Sequence, residues 1–228
     1  SIANLSGWPE LEVRVGFAAD MASRNAERTK AAAKEKSRAD VFPSHEFPQT
    51  SRDYYDDTSK TSFEATALAC NPLSDSQINL LELSTEVKVT PTHYVVLDRT
   101  LFYPEGGGQL GDQGQIGKSR VVDTRIEGDV IFHLTDSEVS LGKVSGEVSW
   151  ERRSQLMDHH TAVHIVGGSS RALLGPHIWQ AGSSKGFRYA RIDLTHHSRL
   201  SREELDRIED HANSCLLYTS PSPRDTEV

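Results

Sequence analysis

The chain has 228 residues and a mass of 25.3 kDa, enough for one large or two small domains with a hydrophobic core. Apolar residues make up 36%, mean hydropathy is −0.51, and no apolar run approaches the roughly 18–20 residues of a membrane span, which argues against a membrane partner. The net charge of −8 argues against a nucleic-acid footprint over the whole surface, although a local one remains compatible. Two cysteines, Cys70 and Cys215, argue against a disulfide scaffold, so we predict a reducing, cytoplasmic location.

Residues 1–60 are predicted to form a helical segment followed by a linker. Between residues 11 and 38 apolar side chains recur at helical spacing, at Val15, Ala18, Ala19, Ala22 and Ala26. Six basic residues between Arg24 and Arg38 outnumber two glutamates, which fits either a solvated helix face or contact with a polyanion. Prolines and small polar residues between 39 and 60 predict the linker.

Residues 61–150 are predicted to form a small antiparallel β-barrel. Polar and apolar residues alternate, or short apolar runs occur, at 86–90, 94–97, 121–122, 130–132 and 143–150. Residues 127–129, Glu-Gly-Asp, predict a hairpin turn. Closely spaced strands with glycine-rich turns are typical of a small barrel or a sandwich.

Residues 151–214 are predicted to form an incomplete α+β domain. The pattern predicts a long helix over 152–174, which Gly175 and Pro176 would end, and a strand over 188–194. Ser201 and Glu204 form a capping box at the start of a second helix. One strand with two helices has few sheet partners, so we expect an incomplete domain within an overall α+β fold.

Residues 215–228 are predicted to be a non-native tail. Residues 215–225 resemble one reading frame of a transposase sequencing adapter, the alternative being a natural tail rich in proline and serine. Cys215 is therefore left out as a metal ligand. We expect the sequence to be an internal fragment of a longer protein.

His160 and His164 carry the strongest chemical signal. Four residues apart on a helix, their imidazoles lie on one face, as two ligands of one zinc ion do. His159, next to His160, must lie on a different face of the helix and cannot be a third ligand. His196 and His197 could approach the pair, but their spacing is not specific for a metal site. Because tight zinc binding takes three or four ligands, the pair by itself fits a metal site and ordinary histidines equally well.

Gly106, Gly107 and Gly108 form a second candidate site. Glycines let the backbone approach a ligand closely, but a tight barrel turn would need them as well, and the P-loop pattern is missing. Gln109 and Gln180 each offer one acceptor and two donors to a small polar group, the alternative being surface amides.

Several ordered motifs resemble the editing region of archaeal-type alanyl-tRNA synthetases. Residues 97–114 (Leu-Asp-Arg-Thr-Leu-Phe-Tyr-Pro-Glu-Gly-Gly-Gly-Gln-Leu-Gly-Asp-Gln-Gly) are similar to its barrel. Its zinc-bearing half is similar to 159–175, 179–182 (Trp-Gln-Ala-Gly) and 191–196 (Arg-Ile-Asp-Leu-Thr-His). Residues 17–26 and 54–57 resemble the connection from the tRNA-recognition region. The likeness covers roughly residues 11–214.

The resemblance implies a hydrolase that removes serine and glycine from mischarged tRNA(Ala), with the acceptor end of that tRNA as partner. The parent enzyme would also join alanine to tRNA(Ala) in translation, using ATP and Mg²⁺ in an aminoacylation domain outside this sequence. It would form a homodimer through a C-terminal region that also lies outside. The implied site residues are His160 and His164 for Zn²⁺, Gln180 and Gln109 for catalysis, and Gly107, Gly108, Gln109 and Gln180 for the substrate.

The family completes its zinc site with a Cys and a His from a later Cys-Gly-Gly-Thr-His-like segment, which this sequence does not contain. We therefore expect an incomplete zinc site, weak zinc binding and an inactive fragment. A free-standing editing deacylase is an alternative, disfavoured because residues 1–60 precede the barrel. An inactive RNA-binding fragment is another, against which the histidine pair and Gln180 argue.

Overall fold

The computed structural model of the chain describes residues 10–16, backbone only, and 41–219, with side chains for 41–216. It divides into two compact units, Lys34–Leu156 and the combination of Ser1–Ala33 with Met157–Val228. The fold is mixed α+β with mostly antiparallel sheets, which confirms the predicted class. Among the described residues, no helix is long and apolar enough to cross a membrane.

The strands are β1 (Glu10–Gly16), β2 (Ser51–Arg52), β3 (Ser62–Pro72), β4 (His93–Leu97), β5 (Arg99–Thr100), β6 (Gly114–Ile116), β7 (Ser119–Glu127), β8 (Val130–Thr135), β9 (Gly142–Val148), β10 (Gln180–Lys185) and β11 (Tyr189–Thr195). The α-helices are α1 (Asp75–Leu80), α2 (Trp150–Leu174) and α3 (Arg202–Thr219). Short 3₁₀ helices occupy Ser44–Glu46 and Asp53–Tyr55.

Six strands of the first unit pair in a closed ring, in the order β3-β4-β8-β7-β6-β9 and back to β3. The predicted hairpin joins β7 to β8, and Gly128 at its turn has φ 58°, a conformation that glycine adopts without steric cost. Where β9 meets β3, Phe63 pairs with Gly146, and a Cβ on Gly146 would overlap the Phe63 ring. The close pairing of β3 and β9 at this point therefore requires a residue without a side chain at position 146.

The strand alternation gives the first unit two apolar layers. Along β4, Val95 and Leu97 join one core cluster with Phe102, while Tyr94 and Val96 join the other. Successive residues of a strand point to opposite faces, so a strand buried on both faces serves both layers. The continuous apolar run of β4 is the sequence signature of that arrangement.

The second unit contains a three-stranded sheet with β11 in the middle, antiparallel to β10 and parallel to β1. Alternate residues of β11, Ile192 and Leu194 among them, are buried with Val163 of α2 and Ile208 of α3. The Ser201 backbone N–H donates to the Glu204 carboxylate and the Glu204 N–H to the Ser201 hydroxyl, so the capping box forms at the start of α3.

Two predicted elements are wrong. Residues 11–16 belong to β1 and not to a helix, because Leu11, Val13 and Val15 alternate with charged residues and β11 offers a parallel pairing edge. The predicted strand over 86–90 is a turn and loop segment. The rest of the predicted N-terminal helix, residues 17–38, lies outside the described residues, as do residues 39 and 40 of the predicted linker.

The long helix and the other named strands appear near their predicted positions. Helix α2 begins at Trp150, two residues earlier than predicted, and Gly175 follows its end with φ 114°. Strands β2, β3, β5, β6 and β10 and helix α1 were not predicted as individual elements. The predicted domain boundaries and the adapter-derived tail stay predictions. Backbone of α3 extends to Thr219, and residues 220–228 lie outside the described part of the chain.

Candidate functional site

His160 and His164 lie one turn apart on α2 with ring centroids 4.9 Å from each other. His160 is half-buried and His164 is exposed. Burial lowers the pKa of His160, and the nearby charges of Lys185 and His164 lower it further. The neutral imidazole, the form that binds metals, is therefore favoured.

Lys185 is a member of this region that sequence reasoning missed. Only 4% of the residue is exposed, and its Nζ donates to the Ser183 hydroxyl at 3.1 Å. Burial lowers the pKa of its ammonium group. Lysine is rarely buried so completely, so its place at the end of β10 is unusual. Nothing in the pattern of residues 180–185 predicted a strand that turns this side chain inward.

Three observations bear on whether a zinc ion suits His160 and His164. Their spacing supplies two nitrogen donors of a type that zinc prefers, and they fit as part of a larger ligand set. His159 is committed elsewhere, since it is buried and its Nδ1 donates to the Gly186 carbonyl at 2.6 Å. A protonated Lys185 would oppose a cation at His160.

Gln180 begins β10, where its side chain is exposed. Its Nε2 donates to the Ser183 hydroxyl at 3.1 Å, which uses one of the two amide donors. The preceding Trp179 is 63% exposed, and the Arg171 guanidinium lies 4.0 Å from the centre of the indole ring. A polar amide and a large aromatic surface thus stand side by side at this end of the sheet.

His177, His196 and His197 converge in the same unit, although their spacing had predicted nothing. One nitrogen from each ring lies within 4.8 Å of the others, and His177 Nε2 and His196 Nδ1 are 2.9 Å apart in a hydrogen bond. Burial lowers the pKa of His196, followed by the charges of His197 and His177, whereas Glu204 raises it. The cluster joins the turn after α2 to the end of β11.

The three glycines lie on an exposed loop of the first unit. Gly107 and Gly108 have φ values of 58° and 76°, so both adopt the left-handed conformation. Gly106 and Gln109 exchange two backbone hydrogen bonds, of 3.0 and 2.9 Å, that close the turn. The residue Gln109 is only 7% exposed, whereas the three glycines are exposed.

A buried ion pair anchors this loop to the start of α2. Arg153 Nε donates to Asp112 Oδ2 at 2.9 Å, and both side chains are buried. The same carboxylate oxygen accepts the Tyr103 backbone N–H at 2.6 Å, and Arg152 Nε donates to the Gly111 carbonyl at 3.1 Å. The loop between Tyr103 and Asp112 is thus fixed at its two ends, a support that sequence reasoning missed because the partners are far apart in the chain.

Residues 10–152 match the family model described as tRNA synthetases class II (A). The chain is 52% identical over 127 residues to an alanine–tRNA ligase of Metallosphaera sedula, covering 53% of this chain and 14% of that protein. It is 42% identical over 175 residues to the alanine–tRNA ligase of Ignicoccus hospitalis, covering 75% and 17% respectively. For that of Sulfurisphaera tokodaii the identity is 41% over 189 residues, covering 79% and 19%. The chain therefore spans less than a fifth of each of these relatives.

Proposed function

This chain belongs to the class II (A) tRNA synthetases, and we propose that it carries part of the editing site of an alanine–tRNA ligase. The substrates would be tRNA(Ala) molecules that carry serine or glycine, and the reaction would be hydrolysis of the aminoacyl ester. The parent protein would join alanine to tRNA(Ala) with ATP and Mg²⁺. A cytoplasmic homodimer remains our prediction for that parent.

The observation that carries the proposal is the His160 and His164 pair on α2, in a chain similar to alanine–tRNA ligases. Zinc, when bound there, would supply a Lewis acid that polarises a water or the ester. The half-buried His160 and the exposed His164 would hold it as two of its ligands.

An alanine-specific enzyme needs a second site for a physical reason. A pocket shaped for alanine rejects an added hydroxyl or a missing methyl group by only about 10–200-fold. A site that hydrogen-bonds the serine hydroxyl discriminates better, because alanine would leave buried polar groups unpaired.

Gln180 is our candidate for contact with the amino acid. Its amide keeps an acceptor and a second donor beyond the bond to Ser183, which suits a hydroxyl or an ammonium group. In the first unit, we assign contacts with the tRNA acceptor end to the exposed Gly107 and Gly108 and to Gln109. Because glycine has no Cβ, a ligand can approach the backbone of both residues closely.

The family match favours a synthetase over a free-standing deacylase. It begins at residue 10, well before the barrel starts at β3, and the three relatives are named alanine–tRNA ligases. The segment before the barrel therefore shares the synthetase pattern.

The test places H160Q/H164Q and, separately, Gln180→Ala in the full-length protein encoded by the native gene. Hydrolysis of Ser-tRNA(Ala) and Gly-tRNA(Ala) is expected to fall by about 100-fold or more in the double variant, a loss typical of removing metal catalysis. Charging of tRNA(Ala) with alanine should stay unchanged. His45→Gln, at an exposed histidine of the first unit, is the matched control.

Undiminished hydrolysis in H160Q/H164Q would contradict the proposal. In the 228-residue chain alone, we expect His160 and His164 to bind zinc only weakly. Zinc titrations of the chain and of its H160Q/H164Q variant, compared with each other, measure this contribution. A tight class that disappears in that variant would show that two ligands from α2 are sufficient.

A further inference from the structure

We propose that His177, His196 and His197 form a binding site for one divalent first-row transition metal ion, such as zinc or nickel. The site is separate from the pair on α2 and does not depend on the proposed editing function. Imidazole nitrogen is the donor that these ions favour among uncharged side chains.

The distances suit such an ion after small ring movements. Zinc binds imidazole nitrogen at about 2.0–2.1 Å, so two nitrogens on a tetrahedral ion lie about 3.3 Å apart. His177 Nε2 and His196 Nδ1 are already 2.9 Å apart, and all three ligand atoms lie within 4.8 Å of one another. His177 and His197 are exposed, and an ion bound to both His177 and His196 would displace the proton of their hydrogen bond into the solvent.

Hydrogen bonds made by Thr195 fix the segment that carries His177. The Thr195 hydroxyl donates to the His177 carbonyl at 2.7 Å and accepts the Trp179 N–H at 2.7 Å. The Thr195 N–H donates to the Trp179 carbonyl at 2.9 Å. The segment that carries His177 is therefore fixed to the strand end that carries His196, and preorganised ligands lower the cost of binding.

One nearby charge also suits a cation. The Glu204 carboxylate acts on His196 with the sign that favours positive charge. The groups that act on His196 are His177, His197 and Glu204, whereas those that act on His160 are Lys185 and His164. The two histidine groups share no member.

An ion at this cluster would clamp the turn after α2 to the end of β11. Trp179 and Gln180 lie directly beside that turn, so the clamp would fix the segment that the proposed function assigns to substrate contact. With three protein ligands, the ion would keep a fourth position for water.

The experiment titrates Zn²⁺, and separately Ni²⁺, into the chelator-treated full chain by calorimetry. We expect one equivalent to bind with a Kd of about 1 µM or tighter, as three imidazole ligands allow. His177→Gln and His197→Gln should each weaken that affinity by about tenfold or more. Both positions are exposed, so these variants should fold, and circular dichroism checks that they do. H160Q/H164Q and the surface control His45→Gln should keep the tight site.

Three results would overturn the proposal: no heat of binding for the chain at about 100 µM metal, unchanged affinity in His177→Gln and His197→Gln, or loss of the tight site in H160Q/H164Q. A rise in melting temperature on adding zinc gives a second readout, and it should vanish in His177→Gln. None of these outcomes depends on hydrolysis of aminoacyl-tRNA, so this site and the proposed function can fail separately.

Discussion

Acidification should weaken the first unit through one histidine, His133. Its side chain is completely buried on β8, where burial lowers its pKa from 6.5 to about 4. Nδ1 donates to the Val95 carbonyl at 3.1 Å, and Nε2 lies 2.8 Å from the Thr100 hydroxyl. Because the Val95 oxygen can only accept, Nδ1 carries the proton and Nε2 accepts the hydroxyl. Protonating Nε2 would remove that acceptor inside an apolar core.

The sign of the effect follows from which state binds the proton. Unfolded His133 titrates near pH 6.5 and folded His133 near pH 4, so between these values the unfolded chain binds more protons. Stability is therefore lost as the pH falls through this window and levels off below about pH 4. The shift of about 2.5 pH units corresponds to about 3 kcal/mol in total, of which about 2 kcal/mol is lost between about pH 7 and about pH 5.

Urea unfolding at a series of pH values, for the wild type and His133→Gln, measures this loss. The variant will be less stable at neutral pH, but its free energy of unfolding should fall by about 2 kcal/mol less between about pH 7 and about pH 5. Other titrating groups, such as Asp123, whose pKa burial raises, are common to both proteins and cancel in the comparison. Equal pH slopes in the two proteins would refute the reasoning.

Three further changes test the packing and the caps by urea or thermal unfolding. Arg153→Met should cost about 3–5 kcal/mol, because it leaves the buried Asp112 carboxylate without its cation, and restoring stability by adding Asp112→Leu would identify that charge as the cause. Gly146→Ala should cost about 1–3 kcal/mol through overlap with the Phe63 ring, and an unchanged melting temperature would show that the ring yields. Ser201→Ala should cost about 1 kcal/mol by removing a helix cap, with exchange of the first α3 amides as the local measurement.

Among the described residues, local patterns correctly predicted five strands, β4, β7, β8, β9 and β11, and the two long helices, α2 and α3. Each of these predictions used a pattern of neighbouring residues, which can be recognised without the rest of the chain. Examples are the Glu-Gly-Asp turn, the alternation over β9 and the apolar face of α2. The error at residues 11–16 arose where two periods overlap: Val15 fits a helical spacing with later alanines, but Leu11, Val13 and Val15 also alternate. Pairing with β11 decides for the strand, and that partner is far away in the sequence.

In the candidate site, too, contacts between near neighbours in the sequence could be predicted, and contacts between distant residues could not. His160 and His164 are helical neighbours, so their proximity follows from spacing. The approach of His177 to His196 needs the turn after α2 and the β10–β11 pairing together, and the Arg153–Asp112 pair needs the barrel. The inward turn of Lys185 depends on β10, an element that was not predicted.

The guanidinium over the exposed indole gives this molecule a built-in optical probe. Indole emission responds to nearby charge, and Arg171 lies 4.0 Å from the centre of the Trp179 ring. The chain has three tryptophans, so replacing the other two with phenylalanine would leave a single tryptophan, with Gln180 as the next residue and His177 two residues before it. Cations or RNA ends arriving at this edge of the sheet could then be followed in real time, without labels.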